Sequence, residues 1–513
     1  MKKIYHLLIM LILLLSLVAC NNDTNEEQND ENKEEVINYP YLSTDKYSYK
    51  IGETIIVDHF TTDTDDIIGL SEYGKETSAK YLINKRLIET TEQITFPTKK
   101  LSPGDYTLFL CDGSLYETVY SLDIHIYGDD DTNYKIDSAN FISSNNDIMK
   151  LSIEIKTPHI KELTYKLYWA KDNKRLDNYM AIKTVVSKDK ESFVIDFNEN
   201  MFMPNEANQI EVRVVEGLSE SYFLNVDDTI KLPISEYLFT FNAMSDLHIQ
   251  SLRDSMVFNG HLKTGLKDIY NSNSKAIFVV GDVVNMGDKE NYDYFHSILN
   301  EEYVEGAQPI YYSVGNHEYM YHKTIEEALE LFNTSFNYDK HYYSVEINGY
   351  KFIMLGSETV APAGVMTQQQ IDWFKSEMEK TDNNKPTFVF IHQGFKDTVA
   401  GTLNTELGQV DYGFGSNTKQ LRAILKEYPN AFVFSGHSHY TLEEYKTTLY
   451  GNGLDATFIN CGAMAYLNAN GQEDIGGAES YYVDVYEDYI VLRGKEFVYD
   501  RWIASAQFIF KLK

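Results

Sequence analysis

Tyr237-Leu238-Phe239-Thr240-Phe241-Asn242-Ala243-Met244-Ser245-Asp246-Leu247-His248 runs from an apolar stretch straight into a carboxylate and an imidazole one residue apart. An apolar run of this length, ended by small and polar residues, reads as a strand buried on both faces. In extended chain Asp246 and His248 lie on the same side, so they offer their ligand atoms to one point. The same grammar recurs downstream. Gly281-Asp282-Val283-Val284-Asn285 follows the apolar run 276–280, and Gly315-Asn316-His317-Glu318 follows 309–314. His392 follows 387–391, and Ser435-Gly436-His437-Ser438-His439 follows 431–434. Gly281, Gly315 and Gly436 each precede a ligand candidate, where a missing side chain lets the backbone bend tightly.

Further strands are expected at 351–355 and 457–459, with helical patterning at 256–270, 292–299, 325–331, 368–379 and 418–427. Strands alternating with helices predict a layered α/β domain with a largely buried sheet. The segments 481–485 and 489–492 read as antiparallel, so parallel and antiparallel strands are mixed. Loops at the carboxyl ends of such strands gather along one edge and form the site. Seven oxygen and nitrogen ligands should therefore converge: Asp246, His248, Asp282, Asn316, His392, His437 and His439. Carboxylate with imidazole suits divalent Zn, Mn or Fe, and the absence of cysteine from the set disfavours a structural zinc site.

These five motifs, in this order, resemble those of the calcineurin-like metallophosphoesterases, over about residues 237–513. The resemblance implies a βαββ-type two-sheet sandwich and a centre of two divalent ions. By it, Asp246, His248, Asp282 and His439 hold the first ion, and Asp282 bridges to a second completed by Asn316, His392 and His437. His317 is then the motif histidine that faces the substrate phosphate instead of a metal. Two ions about 3.5–4 Å apart clamp an in-line displacement at phosphorus and ready a bridging hydroxide as nucleophile. The resemblance thus implies Asp282 and His317 as the catalytic residues, and the expected hydrolysis has no covalent enzyme intermediate.

Two departures narrow the class. Protein serine/threonine phosphatases of this superfamily carry Asp and Arg where this chain has Asn285 and Met286. Asn285 cannot raise the basicity of His317 as a carboxylate does, which leaves Asp288 and Glu318 as candidates. The tyrosine ligand of purple acid phosphatases is also missing. A long connection, 393–416, separates two ligand-bearing strands and contains Lys396 and Tyr412, the candidates for a substrate loop.

Upstream of residue 233 the pattern is different. Thr54-Ile55-Ile56-Val57, the turn Ser102-Pro103-Gly104-Asp105, and Tyr106, Leu108 and Leu110 alternating with Thr107, Phe109 and Cys111 argue for a β-sandwich. Leu151, Ile153 and Ile155, then Phe193-Val194-Ile195 and the run 210–215, argue for a second. Both are read as immunoglobulin-like. At the amino end, Lys2 and Lys3 precede a short apolar run ending Leu17-Val18-Ala19-Cys20. That has the form of a signal peptide and resembles the bacterial lipobox, which implies a lipid on Cys20. Residues 21–35 contain almost nothing but acidic and amide side chains and cannot form a core. Cys111 and Cys461 lie too far apart in the chain to suggest a disulfide framework.

The expected organisation is multi-domain, at about 150 residues per domain. It comprises a lipoprotein signal peptide (1–19), a lipidated tether (20–38), all-β sandwiches (39–130 and 131–232) and an α/β phosphoesterase domain (233–513). A net charge of −32 repels nucleic-acid backbones and argues against a nucleic-acid-coating protein. The expected activity is hydrolysis of a phosphomonoester or phosphodiester at the outer face of a bacterial membrane, with the sandwiches in contact with the cell envelope. The runner-up is a surface adhesin or carbohydrate-binding lipoprotein with a vestigial phosphoesterase domain. The intact ligand set opposes it, because decay usually deletes ligands first.

Overall fold

The computed structural model describes residues 41–60, 66–72, 83–87, 93–111, 118–128, 132–143, 151–188, 190–219, 221–226, 236–251, 256–322, 324–359, 361, 363–403, 415, 417–443, 446–469, 472–475 and 477–513. The signal-peptide, lipobox and tether expectations, Cys20 and Tyr412 lie outside them. Among the described residues, no helix is long and apolar enough to cross a membrane.

The carboxyl-terminal part is built on two six-stranded sheets. In the first, Phe239–Met244, Ser274–Val280 and Ile310–Ser313 run parallel. Glu479–Val485, Tyr489–Glu496 and Arg501–Lys511 extend it antiparallel. In the second, Tyr350–Met354, Thr387–Gln393, Ala431–Gly436 and Thr457–Asn460 run parallel, with Tyr343–Ile347 and Thr448–Leu449 antiparallel at the edges. Alternation along the second sheet's strands divides their side chains. Phe352, Phe388, Phe390, Phe432 and Phe434 face the first sheet, where they share a core with Phe241 and Phe278. Phe278 stacks on Phe352 at 4.7 Å and on Phe390 at 4.5 Å, with ring planes within 8°. Ile353, Val389, Ile391 and Val433 face the other way, onto the Gln368–Met378 and Thr418–Leu425 helices. The helices Met256–Tyr270 and Lys289–Glu302 close the far side of the first sheet through Leu262, Leu266, Ile269 and Phe295.

The edge strands of the second sheet, Tyr343–Ile347 and Thr448–Leu449, have no counterpart among the sequence expectations. Tyr343–Ile347 pairs with Tyr350–Met354 through Asn348-Gly349, both at positive φ (53° and 78°), the two-residue hairpin turn that this dipeptide favours. Arg501–Lys511 is long, and its alternation is blurred because nearly every side chain is buried.

Upstream lie two further β regions, each with its sheets around its own core. The first pairs a three-stranded sheet containing Thr54–Phe60 with a five-stranded sheet containing Gly104–Cys111 and Thr118–Tyr127. The second is centred on Trp169, buried from the strand Thr164–Lys171. Pro40–Lys513 forms one compact unit. Gly104–Cys111 shows how the regions join. Tyr106, Leu108 and Leu110 fill the first β core, while Phe109 and Cys111 enter the main carboxyl-terminal core, which also contains Cys461. The alternating Thr107, Phe109 and Cys111 therefore mark a second buried face and not a solvated one.

Arg501 locks this junction. Its guanidinium donates to Ser121 Oγ at 3.1 Å and pairs with Asp123, and Arg501 is only 4% exposed. Trp502 and Ala504, from the same strand, pack into the second β core. Asp123→Ala strips a buried cation of this carboxylate and is expected to destabilise the protein by about 3–5 kcal/mol. The check is the thermal unfolding midpoint: it should fall for Asp123→Ala and largely recover in Asp123→Ala with Arg501→Met. An unchanged midpoint in the single variant would show that the pair contributes nothing.

Candidate metal centre

Every predicted ligand lies at the carboxyl end of a parallel strand. Asp246 and His248 follow Phe239–Met244, Asp282 follows Ser274–Val280, and Asn316 follows Ile310–Ser313. His392 sits within Thr387–Gln393, and His437 and His439 follow Ala431–Gly436. Asp246, His248, Asp282, His437 and His439 all adopt positive φ, between 45° and 69°. Such conformations cost roughly 1–3 kcal/mol each in non-glycine residues and persist only where the surroundings enforce them. They turn each chain sharply off its strand, which aims the side chain inward.

The side chains meet in three overlapping groups: Asp246, His248 and His439; His248, Asp282 and His317; Asp282, His392 and His437. Within each group the ligand atoms lie within 4.8 Å of one another. His439 Nε2 is 3.1 Å from Asp246 Oδ1, and His392 Nε2 is 3.1 Å from Asp282 Oδ2. His248 Nε2 is 3.8 Å from both carboxylates.

The histidine orientations are set by backbone carbonyls. His392 Nδ1 donates to Val280 O (2.7 Å), His439 Nδ1 to Tyr466 O (3.0 Å) and His317 Nδ1 to Asn285 O (2.8 Å). A proton held on Nδ1 leaves Nε2 facing inward as a donor atom, the arrangement metal-binding imidazoles require. Asn316 adds a second sign of fit: its Oδ1 is buried and makes no hydrogen bond. A buried amide oxygen left this way costs about 1–3 kcal/mol, which a cation would relieve. The donor set therefore fits hard to borderline divalent ions.

Electrostatics follow from burial. Burial opposes the charge on Asp246 and Asp282, yet neighbouring histidines hold both carboxyls well below the usual range: His439 and His392 for Asp246, His392 and His317 for Asp282. Burial likewise opposes a charged His392, but Asp282 and Asp246 push it up to about 10. His437 is driven down to about 3 by burial and by the positive His392 beside it. Burial also lowers His248, whereas Asp246 raises His439 against its own burial.

Glycines make room for these approaches. A Cβ on Gly315 would strike the Asp282 carboxylate, and one on Gly436 would strike Ser245 Oγ and Asp246 Oδ2. Neither has positive φ, so space and not backbone freedom requires glycine at these two positions.

Glu318 and Asn285 support the site in ways the sequence does not indicate. Glu318 accepts hydrogen bonds from the amides of Gly315 (2.6 Å), Asp282 (3.1 Å), Val283 (2.7 Å) and Val284 (3.3 Å). It ties two ligand loops together and is occupied there, not with His317. Asp288 is occupied too, capping the Lys289–Glu302 helix through Asn291 N. Asn285, visible in the sequence only as a departure, holds two site histidines: its carbonyl takes His317 Nδ1 and its Oδ1 lies 3.3 Å from His248 Nδ1. Lys396 sits exposed in the turn after His392. Away from the centre, His261, His296 and His322 bond to backbone carbonyls, and His341 pairs with Glu358.

Residues 239–441 match the family model described as calcineurin-like phosphoesterase. That match and the buried His/Asp cluster support a metal-dependent phosphoesterase with its phosphoesterase domain in the carboxyl-terminal part. No curated protein matches the chain. Among solved structures, it is similar to a phosphopantetheinyl hydrolase from Mycobacterium tuberculosis at 15% identity, over 44% of this chain and 90% of that one (TM-score 0.29). It is also similar to the human OSCAR ligand-binding domain at 10% identity, over 36% and 98% (TM-score 0.17). A Salmonella alpha-2-macroglobulin matches at 11% identity, over 37% of this chain but only 14% of that one (TM-score 0.14).

Gly315→Ala should displace the Asp282 carboxylate. Its expected result is a folded protein with a large loss of bound metal, read by elemental analysis after dialysis. Full metal content in that variant would show that the loop tolerates the added methyl.

Proposed function

We propose that this protein is a phosphoester hydrolase with a dinuclear metal centre, attached by lipid to the outer face of a bacterial membrane. One observation carries the catalytic reading: Asp282 belongs both to the group containing His248 and to the group containing His392 and His437, while Asp246 and His439 complete the first side. Asp246, His248, Asp282 and His439 would hold one ion; Asp282, Asn316, His392 and His437 would hold the other. Ions bound there supply charge neutralisation at phosphoryl oxygens and acidify water near neutral pH.

The chain's own residues supply orientation and proton handling. Asp282 keeps one oxygen on the His317 amide (2.9 Å), so its other oxygen is presented to the centre in a set direction. Asp246 is anchored in the same way by the His437 amide (2.9 Å). His317, with Nδ1 on Asn285 O, presents Nε2 at 3.9 Å from Asp282 Oδ2. Its side chain is 22% exposed, against 2%, 0% and 6% for His248, His392 and His439. That suits a residue that donates a hydrogen bond or proton to the leaving oxygen of a substrate arriving from solvent.

The membrane reading rests on Lys2, Lys3, the apolar run and Leu17-Val18-Ala19-Cys20. The β regions would then be an integral base for the enzyme, since they share buried contacts with it through Phe109 and Arg501.

Three measurements test this. Asp282→Ala should lose both metal and hydrolysis of p-nitrophenyl phosphate and bis(p-nitrophenyl) phosphate; a metal-loaded, active variant would refute the centre. His317→Ala should keep its metal while turnover falls by about 10²–10⁴-fold. Cys20→Ala should move the protein from the membrane fraction to the soluble fraction of a bacterial host, and unchanged partitioning would refute the lipid anchor.

A further inference from the structure

The rings around the centre form a continuous row that outlasts the metal ligands. His317 meets His248 edge-on at 4.4 Å, and His248 lies 4.9 Å from His439. Tyr466 then packs on His439 at 4.2 Å, with planes 36° apart, and lies 5.8 Å from His248. Phe258, in the first turn of the Met256–Tyr270 helix, continues the row 5.8 Å beyond Tyr466. Neither of the last two rings belongs to the predicted ligand set, and neither is part of the main carboxyl-terminal core. Both are half-buried, whereas their neighbours His248, His439, His261, Met464 and Ala465 are all buried. Tyr466 and Phe258 therefore each leave part of the side chain exposed directly beside the Asp246, His248 and His439 group.

We infer that Tyr466 and Phe258 form a stacking wall that selects phosphate esters carrying a planar unsaturated substituent, aryl or nucleobase, over alkyl esters. This rests on the phosphoesterase reading above. A phosphoryl group near His317 and the ligand cluster leaves its substituent to lie along the ring row, where an aromatic face meets an aromatic face. The role of the Tyr466 backbone is separate. Its carbonyl holds His439 Nδ1 whatever side chain the residue carries, so a change of side chain leaves that hydrogen bond available.

The test is calorimetric binding of phenylphosphonate and methylphosphonate to the manganese-loaded full chain, with metal content measured on each sample. Neither ligand is hydrolysed, so the readout does not depend on turnover. Wild type should bind phenylphosphonate on the order of tenfold more tightly or better, the worth of one stacked aromatic face. Tyr466→Leu should lose most of that ratio and Tyr466→Phe should keep it. Phe258→Leu, at a residue whose ring pairs with Tyr466 and His261, should reduce the ratio with metal content intact. No phenyl preference in wild type, or an unchanged ratio in both leucine variants, overturns the wall. Failure of the metal-loaded wild type to hydrolyse any p-nitrophenyl ester, with the phenyl preference present, would instead overturn the phosphoesterase reading and leave an aromatic-phosphonate binding site.

Discussion

Two carboxylates buried among five imidazoles are the constraint around which the carboxyl-terminal part is organised. Asp246 and Asp282 are essentially inaccessible to solvent. An isolated buried carboxylate is costly, so each must be surrounded by cations or hydrogen-bond donors. Here both kinds of partner are present. Histidines from three distant segments supply positive charge, and amides of the ligand loops, His437 N and His317 N, supply directed hydrogen bonds. The loops are hydrogen-bonded to one another, and five ligand residues sit at positive φ within them.

That arrangement explains the two-sheet scaffold. Parallel strands release their carboxyl ends along one edge, and the aromatic core between the sheets brings the edges of both sheets together. Phe278 on one sheet stacks against Phe352 and Phe390 on the other, so the loops after Ser274–Val280 and Thr387–Gln393 start from a common, rigid base. His392 Nδ1 then reaches Val280 O across the gap between the sheets. Glu318 performs the equivalent task within one sheet, where its carboxylate collects amides from two adjacent loops.

The β regions upstream are fused to this scaffold by burial. The strand Gly104–Cys111 contributes to two cores at once, and Arg501–Lys511 does the same from the other side through Trp502, Ala504 and Phe508. A buried guanidinium whose partners lie on another region fixes their relative register, because sliding would leave a charge unpaired in a dry interior. Motion of these regions as loose beads would therefore break hydrophobic and ionic contacts together.

By itself the sequence determined the alternation of buried strands with helices, the ends of those strands, and the residue types of the cluster. These are local properties: apolar run length, a glycine before several of the ligands, and polar ligands within a few residues of the strand ends. It also marked the Asn285 substitution, but only as something missing. Tertiary structure decided what Asn285 and Glu318 do, because most of their partners lie more than thirty residues away and are backbone groups with no identity in the sequence. It likewise decided that Phe109 belongs to a second core, and that Tyr466 and Phe258 extend the row of site rings. A period of two tells which residues share a face; only packing tells what that face meets.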